Sequence, residues 1–318
     1  MIDLSIIIVS YRGWARLTKC LESLDTFSGK NFSMEVIVVD NKSDDEKINE
    51  LEKRFSKFRF IHNEINGGFA NGCNLGGKSA TGEFLLFLNP DTVALESELE
   101  KLLIVAKQNP EFGIVSCRQV NERGKESVAS GPFPHLFNLT GLQRSIFKSR
   151  KPHTASSTPD ITFPDWISGS VVMIQSEIFR KIGGFDEDFW MYFEDVDLCR
   201  RVRNIKLEVA FCNNITIEHN HGGSSRINLK TASLTKTEVH ISRHVYISKH
   251  KTGFNRFLIQ TFLVINNFIN ALFTGILGMI FFYIPKIFLR TLILFRLIRY
   301  YSESLYNHKW ISARSVNY

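Results

Sequence analysis

The chain has 318 residues, 44% of them hydrophobic, with a formal net charge of +7 and a pI of about 9.1. That length and apolar content suit a globular chain with a large core and more than one domain. The basic balance favours an anionic partner, a nucleotide or a phospholipid surface. The Lys and Arg residues form no recognisable nucleic-acid module, so no nucleic-acid partner is expected.

The five cysteines (Cys20, Cys73, Cys117, Cys199 and Cys212) are odd in number and have no CxxC spacing, which argues against a disulfide framework or a zinc cluster. Ile6 to Val9 is too short and wrongly flanked for a signal peptide, so the chain is expected to begin in the cytosol.

Taken in order, Leu4 to Val9 is a β-branched run that reads as a buried strand ending in Ser10-Tyr11-Arg12-Gly13. Trp14 to Leu24 carries Leu17, Leu21 and Leu24 at helical spacing. Glu35 to Asp40 predicts a second buried strand, Ile48 to Phe55 an amphipathic helix and Phe58 to Ile61 a third strand. Strand and helix alternating in this way imply parallel pairing with right-handed crossovers, the half-domain of a nucleotide-binding α/β fold.

A glycine-rich stretch follows, Asn66-Gly67-Gly-Phe69-Ala-Asn-Gly-Cys-Asn74 with Gly76 and Gly77. Such a segment brings backbone N–H groups close to a ligand ahead of a helix. It matches neither the dinucleotide fingerprint nor a P-loop.

Phe84 to Leu88 is the most apolar of the short runs, and it stops at Asn89-Pro90-Asp91. An apolar run without alternation suits a strand covered on both faces. Ligands of open α/β sheets sit beyond the carboxyl ends of such strands. Ser10-Tyr11, Asp40-Asn41 and Asn89-Asp91 are therefore expected to converge on one rim. There Asp40 can accept from the imide N–H of a uracil or thymine base, Tyr11 can stack on it, and Asp91 can hold a divalent cation bound to a diphosphate.

Residues 120–162 read as a connecting loop or a flap near an acceptor site, and Asp165 to Ile174 as a strand in which Gly169 permits close approach. Next, Asp186-Glu-Asp188 and Glu194, Asp195 and Asp197 bracket Phe189, Trp190, Tyr192 and Phe193. A helix from about Glu194 would stabilise these acids at its positive end. An acid beside aromatic walls can have a raised pKa and act as a general base. Glu194 and Asp197 can instead cap the helix and pair with Arg200 and Arg201, a reading that suits Asp197 better than Asp195. Glu208 to Phe211 reads as a strand, and His219 or His221, ahead of a Gly-Gly loop, can supply an imidazole to a metal on Asp91.

These residues together resemble the inverting family-2 glycosyltransferases of GT-A fold, close to the bacterial rhamnosyltransferase branch. The matching pieces are Ile8 to Tyr11, Val38 to Asn41, Asn66 to Ala70 with Asn74, and Leu88 to Asp91. They continue with Ser168 to Ser170, Gly183 to Glu187, Tyr192 to Cys199 and His219 to Ser225. The resemblance implies a mainly parallel, Rossmann-like sheet flanked by helices over residues 1–228. It assigns Mg²⁺ or Mn²⁺ to Asp91 with His219 as a further ligand, and makes Asp195 the catalytic base. It places Ser10, Tyr11, Asp40, Asn41, Asn66, Gly67, Phe69, Asn74, Asn89, Asp91 and Gly169 against the nucleotide-sugar. The chain departs at Ser10-Tyr11-Arg12, where Asn-Tyr-Asn is more usual. It also lacks the Gln-x-x-Arg-Trp segment of processive members, which implies transfer of one sugar per encounter. The implied reaction moves L-rhamnose from dTDP-rhamnose to a polyprenyl-diphosphate-linked saccharide during surface polysaccharide assembly. A UDP-sugar donor, or a non-catalytic nucleotide-binding membrane scaffold, are the alternatives.

Over residues 229–318 a helical tail is expected. Phe257 to Pro285 contains no charged residue, is long enough to span a bilayer, and is flanked by cations on both sides. Gln260, Asn266, Asn267 and Asn270 interrupt it, and Gly275, Gly278 and Pro285 are expected to weaken one straight helix. Helices in the membrane interface, or a shallow re-entrant hairpin on the cytoplasmic face of the bacterial inner membrane, account for both features. A homodimer interface is the soluble alternative.

Overall fold

The β-branched and aromatic runs of the first two hundred residues form a sheet because neither face of those strands meets water. In the computed structural model, which describes residues 2–135, 160–220 and 228–318, β1 (Leu4–Ser10) and β4 (Phe84–Leu88) are buried throughout, as is the latter part of β2 (Met34–Asp40). Among the described residues the strand order is β3-β2-β1-β4-β10-β6-β11-β5, with β8 beside β11. The remaining strands of this sheet are β3 (Arg59–His62), β5 (Thr92–Val93), β6 (Phe112–Val120), β8 (Ile161–Thr162), β10 (Val171–Gln175) and β11 (Glu208–His219). A small second sheet pairs β7 (Ser130–Gly131) with β9 (Trp166–Ile167). Helices α1 (Trp14–Asp25), α2 (Lys47–Arg54), α3 (Gly68–Ser79) and α4 (Glu96–Gln108) alternate with the first strands, and α5 (Ser176–Lys181) and α6 (Glu194–Asn204) follow later.

β1 pairs in parallel with β2 and β4, and β6 in parallel with β11. β10 runs antiparallel to both β4 and β6, and β5 and β8 run antiparallel to β11. The entry end of β10 therefore lies on the same rim as the exit ends of β1, β2, β4, β6 and β11. The expected single strand over 165–174 is instead two, broken at Ser168–Ser170. The strand expected at 208–211 continues to His219 past a register shift between Cys212 and Thr216, which keeps Ile215 and Ile217 in the core. Helix α4 and strand β6 occupy a region that the sequence reading left unassigned. All five cysteines are buried, and none forms a disulfide.

The glycine-rich stretch is largely helix. On α3, a Cβ at Gly72 would meet Val9 Cγ1 at 2.6 Å and one at Gly76 would meet Ile7 Cγ2 at 2.5 Å. These glycines let the helix lie directly on β1; they are packing positions and not a phosphate cradle. Most of the expected flap, and His221 with the Gly-Gly loop, fall outside the described residues.

The chain divides into two compact units. The first carries the large sheet. The second comprises Gly67–Ala70, Glu187–Glu194 and the C-terminal helices α7 (Leu229–His250), α8 (Gly253–Ile280) and α9 (Pro285–Asn307). Helix α8 runs unbroken through Gly275 and Gly278, against the expected weakening, because both glycines face α9. Thr291 Oγ1 donates to the Gly275 carbonyl at 2.8 Å, and a Cβ at Gly275 would meet Leu294 Cδ2 at 2.7 Å. Pro285 starts α9, where its missing N–H costs nothing.

The amides that interrupt the apolar run also have partners. Gln260 bonds both the His244 ring and the His244 carbonyl, and Asn267 Nδ2 donates to Tyr301 Oη at 3.1 Å. Burial holds His240 and His244 down at about 4, so both are neutral at physiological pH and act as ordinary hydrogen-bonding groups. The outer face of α8 is apolar and exposed, with Phe257, Ile265, Ile269, Phe273, Ile276 and Ile280. Helix α8 is long and apolar enough to cross a membrane.

Candidate active site

The turn after β4 is closed by its own residues. Thr92 N and Oγ1 both donate to the Asn89 carbonyl, at 3.2 and 2.7 Å, while Asn89 N donates to Ser170 O at 3.0 Å. Two-residue β5 then pairs antiparallel with the end of β11, Thr92 opposite His219, and Asn220 N donates to Asp91 O at 2.8 Å. Residues far apart in sequence thereby become neighbours: His219 Nε2 lies 3.1 Å from Asp91 Oδ1.

Gln119, near the end of β6, fixes how His219 is used. Its Oε1 accepts from Ser170 Oγ at 2.7 Å and faces His219 Nδ1 at 2.8 Å, so Nδ1 carries a proton. A neutral imidazole of that tautomer turns its Nε2 lone pair toward the Asp91 carboxylate. Two acceptors facing each other at 3.1 Å are stabilised only by a cation that both can hold, a second proton or a metal. Asn89 Nδ2 stands 3.5 Å from the same nitrogen, and Arg16 Nη1 of α1 lies 3.4 Å from Asp91 Oδ2.

The donor set fits Mg²⁺ or Mn²⁺. One carboxylate and one imidazole are enough for a hard cation that keeps waters and diphosphate oxygens among its ligands. Among the described residues no cluster of three or more His, Cys, Asp or Glu side chains surrounds such a position.

Asp195 opens α6 beside the break between β9 and β10. Its Oδ2 accepts from Gly169 N and its Oδ1 from Val196 N, both at 2.8 Å. Desolvation is the dominant influence on this carboxyl and raises its pKa; the main-chain donors oppose it without cancelling it. Asp197, one residue pair further along, is 1% exposed and bonded to Arg201 Nε at 2.7 Å, while Arg201 also donates to Ile182 O and Gly184 O. It serves the helix. Glu194 is buried as well.

On the other half of the rim, Ser10 and Asp40 are register partners at the ends of β1 and β2. The Ser10 hydroxyl is buried without a hydrogen-bond partner, a group that a bound ligand can satisfy. Asp40 accepts from both Oγ and N of Ser43, and Ser43 Oγ in turn accepts from Arg12 N at 2.9 Å. The carboxylate is thus oriented and keeps lone pairs for one further donor. The Arg12 guanidinium lies 5.3 Å from the Tyr11 ring centroid, so one face of that ring already carries a cation. Asn41, Asn63, Asn66 and Asn71 form an amide network at the ends of β2 and β3.

Asn74 is placed differently: its amide bonds Phe185 N and O reciprocally, both at 2.8 Å, and so holds the Gly183–Asp186 turn. Gly67 and Phe69 lie in the second unit, where Phe69 N donates to Trp190 O at 2.9 Å.

The sequence reading missed Gln119, Arg16 and Ser43. Gln119 sits in a strand that the pattern did not flag, and Arg16 looks like any exposed helical cation. Ser43 had a signal, because Asp40-Asn-Lys-Ser43 is an Asx-type turn.

The family model described as glycosyl transferase family 2 matches residues 5–167, about half of the chain. The chain belongs to glycosyl transferase family 2. A second model, described as the N-terminal domain of galactosyltransferase, matches residues 150–221. Relatives of this family-2 chain include the low-salt glycan biosynthesis hexosyltransferase Agl10 of Haloferax volcanii, 28% identical over 69% of this chain and 67% of the relative. The Escherichia coli rhamnosyltransferase WbbL is 26% identical over 62% and 75%. An N-acetylglucosaminyl-diphospho-decaprenol L-rhamnosyltransferase of Mycobacterium tuberculosis is 26% identical over 63% and 70%.

Among solved structures, GalNAc-T7 with UDP, GalNAc and Mn²⁺ aligns with a TM-score of 0.56 at 16% identity, over 78% of this chain and half of that one. Residues 1–349 of S. aureus TarS align at 0.52 and 17% identity, over 82% and 68%. The fold is therefore GT-A, as the family resemblance implied, and the chain is a glycosyltransferase.

Proposed function

We propose that this glycosyltransferase is a metal-dependent inverting enzyme that moves one L-rhamnose from dTDP-rhamnose to a polyprenyl-diphosphate-linked saccharide in bacterial surface polysaccharide assembly. The observation that carries the metal site is the Asp91–His219 pair, with His219 Nδ1 tied to Gln119. When bound there by Asp91 and His219, Mg²⁺ or Mn²⁺ would neutralise charge on the diphosphate.

This chain's own residues account for the rest. The acceptor hydroxyl forms a bond to the anomeric carbon from the face opposite the diphosphate; the bond to the diphosphate oxygen breaks and the nucleoside diphosphate departs with that electron pair. Asp195 takes the hydroxyl proton, for which a raised carboxyl pKa is suited. Ser10, Asp40 and Tyr11 hold the nucleoside, and Arg16 adds a positive charge beside Asp91. The rhamnosyltransferase relatives support the donor, and the decaprenol-linked substrate in one relative's name supports the lipid acceptor.

The exposed apolar face of α8, with Arg256 before it and Lys286 and Arg290 after it, supports association with an anionic membrane surface on the cytoplasmic side. The homodimer remains the soluble alternative for this face.

The test is binding of a panel of dTDP- and UDP-sugars to detergent-purified protein, with and without Mn²⁺, beside Asp91→Ala. Binding of dTDP-rhamnose that needs the metal and is lost in the variant supports the reading. Preference for a UDP-sugar corrects the donor, and no binding under any condition overturns the metal site.

A further inference from the structure

The loop that delivers the candidate base is strained. Tyr192 and Phe193, just before α6, have φ of +72° and +67°, a region that bulky L-residues rarely enter. Two consecutive aromatic residues of this kind persist only where their surroundings hold them.

The C-terminal helical region supplies the restraint. Ser242 of α7, 1% exposed, donates its hydroxyl to Met191 O at 2.8 Å, and Tyr246 one turn later packs on Phe193 with ring centroids 5.9 Å apart. Lys249, a further turn along, pairs with Asp188 at 2.5 Å. One face of α7 thus grips the loop at three successive points.

The segment after α9 returns to the same loop. Ser315 Oγ donates to Glu187 O at 2.7 Å, and Asn317 Nδ2 donates to Asp188 Oδ1 at 2.8 Å. The Arg314 guanidinium lies 4.8 Å from the Trp190 ring centroid. This segment is itself anchored, with Trp310 stacked on His244 at 4.8 Å and Ser312 bonded to Glu238. From the other side Phe69 N bonds Trp190 O.

We infer that α7 and the Ser312–Asn317 segment are a positioning device for catalysis: they hold Glu187–Phe193 in the strained form from which α6 starts, and so set the carboxylate of Asp195. The inference rests on the reading of Asp195 as the base. It gives the tail a role in turnover separate from any membrane attachment, and makes Ser242, Ser315 and Asn317 positioning residues that touch no substrate.

The experiment compares the full-length protein in detergent with Ser315→Ala/Asn317→Ala, with Ser242→Ala, with the conservative Ser315→Thr, and with Asp195→Asn. Two quantities are read: amide hydrogen exchange over 187–196, and dTDP release from dTDP-rhamnose with a lipid-linked acceptor, resolved into kcat and donor KM. Loosening the loop is expected to speed exchange there by about tenfold and lower kcat by about tenfold or more, with donor KM within about twofold. Ser315→Thr should restore both.

Unchanged exchange in both Ala variants overturns the inference. So does faster exchange at wild-type kcat, and so does a kcat loss matched by weaker donor binding and a lower melting temperature. Asp195→Asn separates the two ideas: full activity there refutes the base assignment itself, whereas an inactive Asp195→Asn beside fully active Ser242→Ala and Ser315→Ala/Asn317→Ala variants refutes only the positioning role. Should the wild type release no dTDP, the donor assignment fails and the exchange arm alone decides whether the segment restrains the loop.

Discussion

Glu238→Gln should stabilise the protein in a strongly pH-dependent way. Glu238 lies on α7 and is 2% exposed. Its Oε1 accepts from Ser312 Oγ at 3.0 Å, and its Oε2 is buried without a hydrogen-bond partner. Burial raises its pKa from 4.5 to about 7, more than the Ser312 bond and the charges of Arg314 and Arg296 pull it down. A carboxyl with a raised folded-state pKa contributes its full stability below the unfolded value, near 4.5, and loses it as pH rises through about 7. Across that window the folded state keeps a proton that the unfolded chain releases. At about 1.4 kcal/mol per pH unit, the ionised side chain then costs the fold about 3 kcal/mol by pH 8.

Glutamine is isosteric with the protonated acid and keeps an oxygen for Ser312. The variant should match the wild type at pH 4 and exceed it by about 3 kcal/mol at pH 8. Denaturant unfolding of both proteins in one detergent across that range isolates the effect, because every other titration cancels in the difference. A difference that stays constant with pH would falsify the argument. A lower stability at pH 8 would mean that the attraction of Arg296 and Arg314 outweighs the burial cost.

Four further outcomes are expected. Asp195→Asn should lower kcat by about 10²–10⁴ with little change in donor affinity; in the wild type, kcat/KM should rise with pH through a value above the ordinary carboxylate range, since the base works deprotonated and burial raises its pKa. Gln119→Leu, which removes the acceptor for His219 Nδ1–H, should weaken Mn²⁺ binding by about 10–100-fold in a metal titration. Gly68→Ala combines a φ of +89° with a Cβ driven into the Trp190 carbonyl, so it should cost about 4 kcal/mol or more, read as a melting temperature or as loss of folded protein. Replacing Phe273, Ile276 and Ile280 on the exposed face of α8 by serine should reduce co-sedimentation with anionic vesicles; unchanged sedimentation would leave that face for a second copy of the chain.

The first half of the sheet was legible because its strands are short apolar runs bounded by turn residues, and each announces its own end. Asp91 and Asp195 stood out for the same reason: a carboxylate directly after an apolar run, or among aromatics, contradicts its neighbours. Helix α4 and strand β6 were not read, and with them went Gln119, whose importance comes from two partners 51 and 100 residues away. The glycines of α3 misled, since a run that can cradle phosphate is also one that lets a helix touch a sheet; only the opposing Val9 and Ile7 decide between these. Gln260 and Asn267 looked like breaks in an apolar helix because the His244 and Tyr301 groups that satisfy them lie on other helices.

Why Asp195, and not its neighbour, is the carboxylate suited to chemistry follows from what each is bonded to. Asp197 is answered by the Arg201 guanidinium, which compensates its charge and ties it to the helix. Among the described residues Asp195 accepts from main-chain donors, among them Gly169 N and Val196 N. These orient the carboxylate without neutralising it, so desolvation prevails and the group retains an appetite for a proton. The Gly169 donor depends on topology. Gly169 reaches the rim because β10 runs against β4 and β6, which brings the entry to a strand, and not its exit, to the rim where those strands end.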